Sequence, residues 1–293
     1  PMKIITIKNP QTKDKNPNLI QQAGFTLIEL SIVLVIIGLI VSGVLVGQDL
    51  IKAAEIRATI SQYEKYNAAM NTFRTKYNGM PGDLSATQAI AFGLGTAATT
   101  VGDGNSLIES TSTTNYNIPR GETLVIWQQL SGASLLDGSY GVDLTTAGAT
   151  AVTTVATYLP AAKIGRGNYW IAGSSGGLNY YSLIQPAVFA ASPATTYATT
   201  ALSGGLTPVE AYNVDSKLDD GMPNTGIVRA KGELAAAAAV DAFFPDATYG
   251  SASAAGATAT CTTGNATTST STNTYNRATY GNTPVCALRL RFN

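Results

Sequence analysis

The sequence predicts an α+β protein: a long N-terminal α-helix, membrane-spanning in one half and amphipathic in the other, packed on an antiparallel β-sheet head. Three observations carry this. An apolar run without proline passes directly into a helical-period pattern that ends near Tyr77. Late in the chain, short segments alternate apolar and polar residues, as strands with one buried face do. Between them lie stretches with helix-start chemistry.

Composition narrows the function classes. The chain has 293 residues, enough for one large domain or two small ones. It carries 18 basic and 18 acidic residues, and charged residues make up 12%, about half the usual share of roughly 25%. A neutral chain rich in Ala, Thr and Gly is a poor partner for nucleic acid. There is no histidine, which removes the commonest general base, the commonest metal ligand and every Ser-His or Cys-His nucleophile. Carboxylate-only or Ser-Lys chemistry has no motif to support it, so the expectation is a protein that is not an enzyme.

The first element is residues 21–50, "QQAGFTLIELSIVLVIIGLIVSGVLVGQDL". Before it, Lys3, Lys8, Lys13 and Lys15 stand against Asp14 alone. From Leu30 to Gly47 every residue is apolar, Gly or Ser. Counted from Phe25 the segment reaches the roughly 20 helical residues that cross a bilayer core. Basic charge ahead of it places residues 1–24 in the cytoplasm and the rest of the chain outside. A secretory signal cut after Gly47 is the rival reading, but signal h-regions span only about 7–15 residues. Glu29 also argues against it, because a carboxylate in a spanning segment costs around 2.5–3.5 kcal/mol and normally has a partner. An interfacial carboxylate snorkelling to the headgroups is the bland alternative.

"GFTLIELSIVLVIIGLI" resembles the N-terminus of type IV prepilins and of type II secretion pseudopilins. The resemblance implies a type IV pilin-like fold and cleavage by a prepilin peptidase between Gly24 and Phe25. The new N-terminal Phe25 would then be N-methylated. It also implies that Glu29 meets the N-terminal amine of a neighbouring subunit in a filament. Pairing relieves the cost of a lone charge in hydrocarbon and sets the axial register. Partners would be copies of the chain or sister pilins, the peptidase, and an inner-membrane assembly platform. The location would be the bacterial inner membrane, single-pass with the head outside, and then a pilus or pseudopilus.

Beyond Gly47 the helix continues. Ile56, Ile60, Tyr63, Met70, Phe73 and Tyr77 recur at helical spacing with Tyr66 nearby, and Glu55, Arg57, Glu64, Lys65 and Arg74 fall mostly between them. "NGMPGD" supplies a glycine C-cap and a following proline that end the helix. The expected division is leader 1–24, transmembrane and assembly helix 25–47, amphipathic half 48–78, and head 79–293. Many pilins have a helix-kinking proline after the "IIG" element. Here the neighbourhood reads "VSGVLVG", in which Gly43 and Gly47 permit either local melting or close helix packing.

Within the head, Thr207-Pro208-Val209-Glu210 is a capping box with proline at the first helical position, starting a helix that runs to about Leu218. "GETLVIWQQL" is a second short helix, burying Leu124, Trp127 and Leu130. "NYWIAGSSGGLNYYSLI" reads as two strands joined by a Gly/Ser turn. "VCALRLRF" reads as a half-buried strand with Leu288, Leu290 and Phe292 on one face and Arg289 and Arg291 on the other. "FRTKYNGMPGD", "GDGN", "ETLVIWQQL" and "VDSKLDDGMPNTGIVRA", with the late cysteines, are together similar to prepilin-like proteins with larger heads. Thr/Ala/Gly/Ser-rich stretches at about 142–157, 186–205 and 247–276 read as long loops, or as subunit-contact or O-glycosylated surface.

The two cysteines, Cys261 and Cys286, have no CxxC spacing and no histidine to complete a metal site. This favours a disulfide in an oxidising compartment over two buried thiols. Asp103 and Asn105 lie in a Gly-rich turn that lacks the later Gly and Glu of an EF-hand loop. Asp215, Asp219 and Asp220 cluster at a helix end. They could hold Ca²⁺, as some pseudopilin heads do, although turn chemistry accounts for the same residues and is favoured. No other cofactor is expected. The reading is a structural subunit of a type IV pilus or type II secretion pseudopilus. The alternatives are a minor tip pilin that binds surfaces or DNA and, less favoured, a secreted hydrolase.

Overall fold

No proline interrupts the sequence from Gly24 to Met80, and Leu27–Tyr77 forms one α-helix, α1. The computed structural model describes residues 25–96, 102–109, 121–142, 155–186, 202–231, 261–263 and 274–292. The leader, with Gly24, lies outside these residues, as do most of the three Thr/Ala/Gly/Ser-rich stretches. Contacts divide the chain into two units, Pro1–Leu50 and Ile51–Asn293.

In the first unit the apolar side chains of α1 are exposed among the described residues. Phe25 and Leu27 are 86% and 88% exposed, and Ile32, Val35, Leu39 and Val44 are each more than half exposed. A Cβ added at Gly38, Gly43 or Gly47 would meet nothing within 4 Å. A helix apolar on every side suits hydrocarbon or other apolar helices rather than water. Among the described residues α1 is the one helix long and apolar enough, by length and composition, to cross a membrane.

The second unit begins with α1 burying one stripe: Ile56, Thr59, Tyr63, Tyr66, Met70, Phe73 and Tyr77. Thr59 fits that stripe because its hydroxyl donates to the Glu55 carbonyl at 2.8 Å, leaving its methyl for the core. The helix stops where the sequence predicts, but Asn78 rather than Gly79 takes the left-handed conformation, with φ +52°. Gly79 serves close approach instead, since a Cβ there would lie 2.5 Å from the Leu84 side chain.

The other helices are α2 (Ala86–Ala91), α3 (Glu122–Gly132), α4 (Pro208–Leu218) and α5 (Arg277–Tyr280). The strands are β1 (Tyr169–Ser175), β2 (Leu178–Pro186), β3 (Leu202–Ser203), β4 (Val228–Lys231), β5 (Thr262–Thr263), β6 (Thr274–Tyr275) and β7 (Ala287–Phe292). The main sheet runs β1-β2-β7-β4, antiparallel throughout, with β3 added to β2; β5 and β6 pair separately. Gly176 and Gly177 both take positive φ, the backbone that a two-residue hairpin between β1 and β2 requires.

One sheet face carries Trp170, Tyr181, Leu288, Leu290 and Phe292, brought together by the register of the three strands. The Tyr66 ring from α1 meets Trp127 of α3 at 5.2 Å and Trp170 of β1 at 5.8 Å. Tyr181 stacks on Phe292 at 4.1 Å. Gln62 fixes α1 further: its amide donates to the Tyr66 hydroxyl and the Ala161 carbonyl, and its oxygen accepts from Lys163 N–H and Trp170 Nε1. All four of its hydrogen-bonding positions are therefore filled.

The helix α3 buries Leu124, Trp127 and Leu130 as expected, and Val125 and Ile126 besides, so it is enclosed on more than one face. One expectation needs correction: Arg289 does not face solvent. It is fully buried, with its guanidinium 3.9 Å above the Tyr180 ring. The reason is that β7 is an interior strand, paired with β2 on one side and β4 on the other. The aliphatic stem and cation–π contact make burial of the arginine tolerable.

Candidate functional site

Two acidic clusters occupy the head. In the first, Asp215, Asp219 and Asp220 each place a carboxylate oxygen within 4.8 Å of the others. A capping box starts the helix that carries them: the Thr207 hydroxyl accepts from Glu210 N–H, and the Glu210 carboxylate accepts from Thr207 N–H. Arg166 pairs with that glutamate at 2.9 Å. Asp215, fully buried in the last turn, accepts from the Tyr275 hydroxyl at 2.7 Å and from Gly221 N–H at 3.2 Å. Asp219 accepts from Ile227 and Val228 N–H, and Asp220 from Met222 N–H and the Thr225 hydroxyl. Loss of solvent pushes Asp215 up to about 7, against the lowering effect of the Tyr275 hydrogen bond.

This donor set has the charge Ca²⁺ favours, but Ca²⁺ takes about 6–8 oxygens. Here each carboxylate already accepts hydrogen bonds, most of them closing the turn from α4 to β4. The sequence brought these three residues together correctly, and turn closure explains their positions.

The second cluster joins Asp83, Asp103 and Glu122. Asp83 accepts from Gly104 and Ser106 N–H, both at 2.7 Å, and Glu122 accepts from Glu109 N–H at 2.7 Å. Asn179 adds a third clamp, accepting from Ile108 N–H and donating to the Ser106 carbonyl. Together they strap residues 102–109 to the head. Burial pushes Glu122 up to about 8 and raises Asp83 as well. The sequence pointed to Asp103 and Asn105 only, because the partners are far apart in the chain. Gly102 permits the close approach of the two segments, since an added Cβ would lie 2.3 Å from the Asp83 backbone.

At the start of α1 the geometry is local and polar. Thr26 N–H and its hydroxyl both donate to Glu29 Oε2, at 2.8 and 2.6 Å. Glu29 N–H donates back to Thr26 Oγ1 at 3.3 Å. This is a reciprocal capping box, and the Thr26 carbonyl accepts the first helical hydrogen bond from Leu30. Phe25, just ahead of it, is exposed, and after Glu29 no charged residue appears until Asp49.

A family model for the prokaryotic N-terminal methylation motif matches residues 20–45. The chain carries the hallmark of the type IV prepilin and pseudopilin family. The matched stretch contains Gly24, Phe25, Thr26 and Glu29 and most of the exposed apolar part of α1. Neither the comparison with curated proteins nor that with solved structures returns a match. The motif, with the long apolar helix near the N-terminus, fits a membrane-anchored subunit of the pilin type, a kind of protein that is usually not an enzyme.

Elsewhere in the chain, Cys261 and Cys286 form a disulfide. It ties β5 to the residue preceding β7, where Cys286 also bridges to Leu206. Thr26 is the residue at the N-terminal site that sequence reading passed over. The signal was the Thr-x-x-Glu spacing, the same one that marks the start of α4.

Proposed function

We propose that this chain is a structural subunit of a filament, either a type IV pilus or a type II secretion pseudopilus. A prepilin peptidase removes residues 1–24 by cutting between Gly24 and Phe25, and Phe25 is N-methylated. The apolar half of α1 is stored in the inner membrane and then packs with the same segment of neighbouring copies or sister pilins on an assembly platform. Glu29 accepts the N-terminal amine of a neighbour, which gives the one carboxylate of the spanning segment a partner and fixes subunit register.

The observation that carries this reading is the methylation motif lying on the half of α1 whose apolar residues are exposed on every side. Asp215, Asp219 and Asp220 act as turn-closing groups, and Ca²⁺ binding would require exchanging their hydrogen bonds for metal ligation.

The test is Glu29→Ala in the full chain, expressed with its peptidase and platform. Processing should proceed while filaments recovered by shearing fall sharply. A chain with Glu29→Ala that fills filaments at the parent level would overturn the assembly role. Deleting the gene and measuring exported proteins separates the two systems, since a pseudopilin is needed for secretion and a pilin for surface fibres.

A further inference from the structure

We propose that residues 102–109 form a proton-held strap: the segment stays seated on the head while the Asp83, Asp103 and Glu122 carboxyls share a proton, and undocks as a unit when that proton is lost.

The geometry sets like charges on both sides of one contact. Asp103 belongs to the strap itself, Asp83 to the loop after α1 and Glu122 to the first turn of α3. An oxygen of each lies within 4.8 Å of the other two, and Asp83 and Glu122 are buried. Glu109, also on the strap, donates its N–H to Glu122, and β2 contributes only the neutral Asn179. Among the described residues none of these four carboxylates has a cationic partner. A small shift cannot separate the groups, because the backbones already touch: a Cβ added at Gly102 would lie 2.3 Å from the Asp83 backbone. Three ionised carboxylates at that spacing repel one another, and burial of two removes the water that would screen them.

A proton on the cluster removes one charge and supplies a donor between carboxyls, as in the hydrogen bond that joins Asp103 to Asp83. Burial pushes Glu122 up to about 8, and the charges of Asp83 and Asp103 add to the rise. Between the ordinary glutamate value of 4.5 and about 8, the seated strap therefore keeps a proton that the open strap releases. The seated state is favoured at low pH and loses ground as pH climbs to about 8. The strap is the part that gives way, since Ile108 is the one buried residue within it, whereas the strands beneath carry the core.

The experiment is hydrogen exchange of the detergent-solubilised full chain at pH 6, 7 and 8, in chelator so that no divalent cation holds the segment. Rates are read as protection factors, which cancels the intrinsic pH dependence of exchange. Release of one proton on opening should lower protection of the Gly104, Ser106, Ile108 and Glu109 amides about tenfold per pH unit. At every pH these amides should exchange faster than those of Tyr181 and Leu290 in the central strands, the mark of local opening. Glu122→Gln keeps an acceptor for Glu109 N–H and should abolish the pH dependence. Asp103→Asn, at an exposed position on the strap, removes the facing charge and should leave the strap better protected than the parent at pH 8. Strap protection that is flat from pH 6 to 8, or equal to that of Tyr181 and Leu290, would overturn the proposal. So would a dependence as steep in both variants as in the parent.

Discussion

The hydroxyl of Tyr275 donates a 2.7 Å hydrogen bond to the buried carboxylate of Asp215. One partner sits on β6, inside the segment closed by the Cys261–Cys286 disulfide, and the other in the last turn of α4. The contact joins the end of the head to the turn that feeds β4. Tyr275→Phe removes the donor and leaves Asp215 with Gly221 N–H. The expected loss is about 1–3 kcal/mol, the cost of leaving a buried acceptor short of a partner. Urea unfolding of the detergent-solubilised chain measures it, and an unchanged midpoint would contradict it.

Stability should fall as pH rises through neutrality. Glu122 has an ordinary value of 4.5 and stands at about 8 in the folded head, and Asp215 moves from 3.8 to about 7. Burial raises both, so between those values the folded state holds protons that the unfolded chain has released. Their stabilising effect is complete below about pH 4 and is lost as pH climbs to about 8. Unfolding midpoints should therefore be lower at pH 8.5 than at pH 6. Glu122→Gln should flatten the slope, and a midpoint that rises over this range would contradict the assignment.

Gln62 is the polar fastener between α1 and the segment leading into β1. Gln62→Ala leaves the fully buried Trp170 indole N–H without its acceptor. About 2 kcal/mol of stability should be lost. Gln62→Glu keeps the acceptor but not the donors to Tyr66 and Ala161, and should fall between the alanine variant and the parent in the same unfolding measurement.

How far the sequence could be read depends on how local each feature is. The course of α1, its end near Tyr77 and the start of α4 at Thr207-Pro208 follow from helical spacing, absent prolines and a capping box, all within a few residues. The β1–β2 hairpin was legible for the same reason. The burial of Arg289 was not, because it depends on β4 pairing with the far side of β7 from about sixty residues away. Alternation along "VCALRLRF" shows two faces but cannot show that both are covered. The strap held by Asp83, Glu122 and Asn179 was hidden likewise, as its parts are separated by whole elements. Thr26 differs: its signal was local and lay inside the segment whose apolar character drew attention to the membrane.

Turn closure by Asp215, Asp219 and Asp220 predicts a null response to Ca²⁺. Millimolar Ca²⁺ should leave the thermal midpoint of the head where it is in chelator. A midpoint that rises with Ca²⁺, and no longer does so in Asp219→Asn, would make the cluster a cation site, because a ligand of the folded state stabilises in proportion to its saturation.

The disulfide should matter more than any one hydrogen bond. It closes a segment with a separation of 25 residues, and replacing both cysteines by serine should cost about 2–5 kcal/mol. Unfolding of the double variant beside the parent tests this directly.

The most direct measurement of the central claim is the intact N-terminal mass of the protein recovered from membranes and from sheared surface material, in cells with an active prepilin peptidase. A chain beginning at an N-methylated Phe25 is the expected result. A chain that keeps all of residues 1–24, or one that begins near residue 48, would contradict it and return the apolar segment to the status of a simple anchor or an export signal.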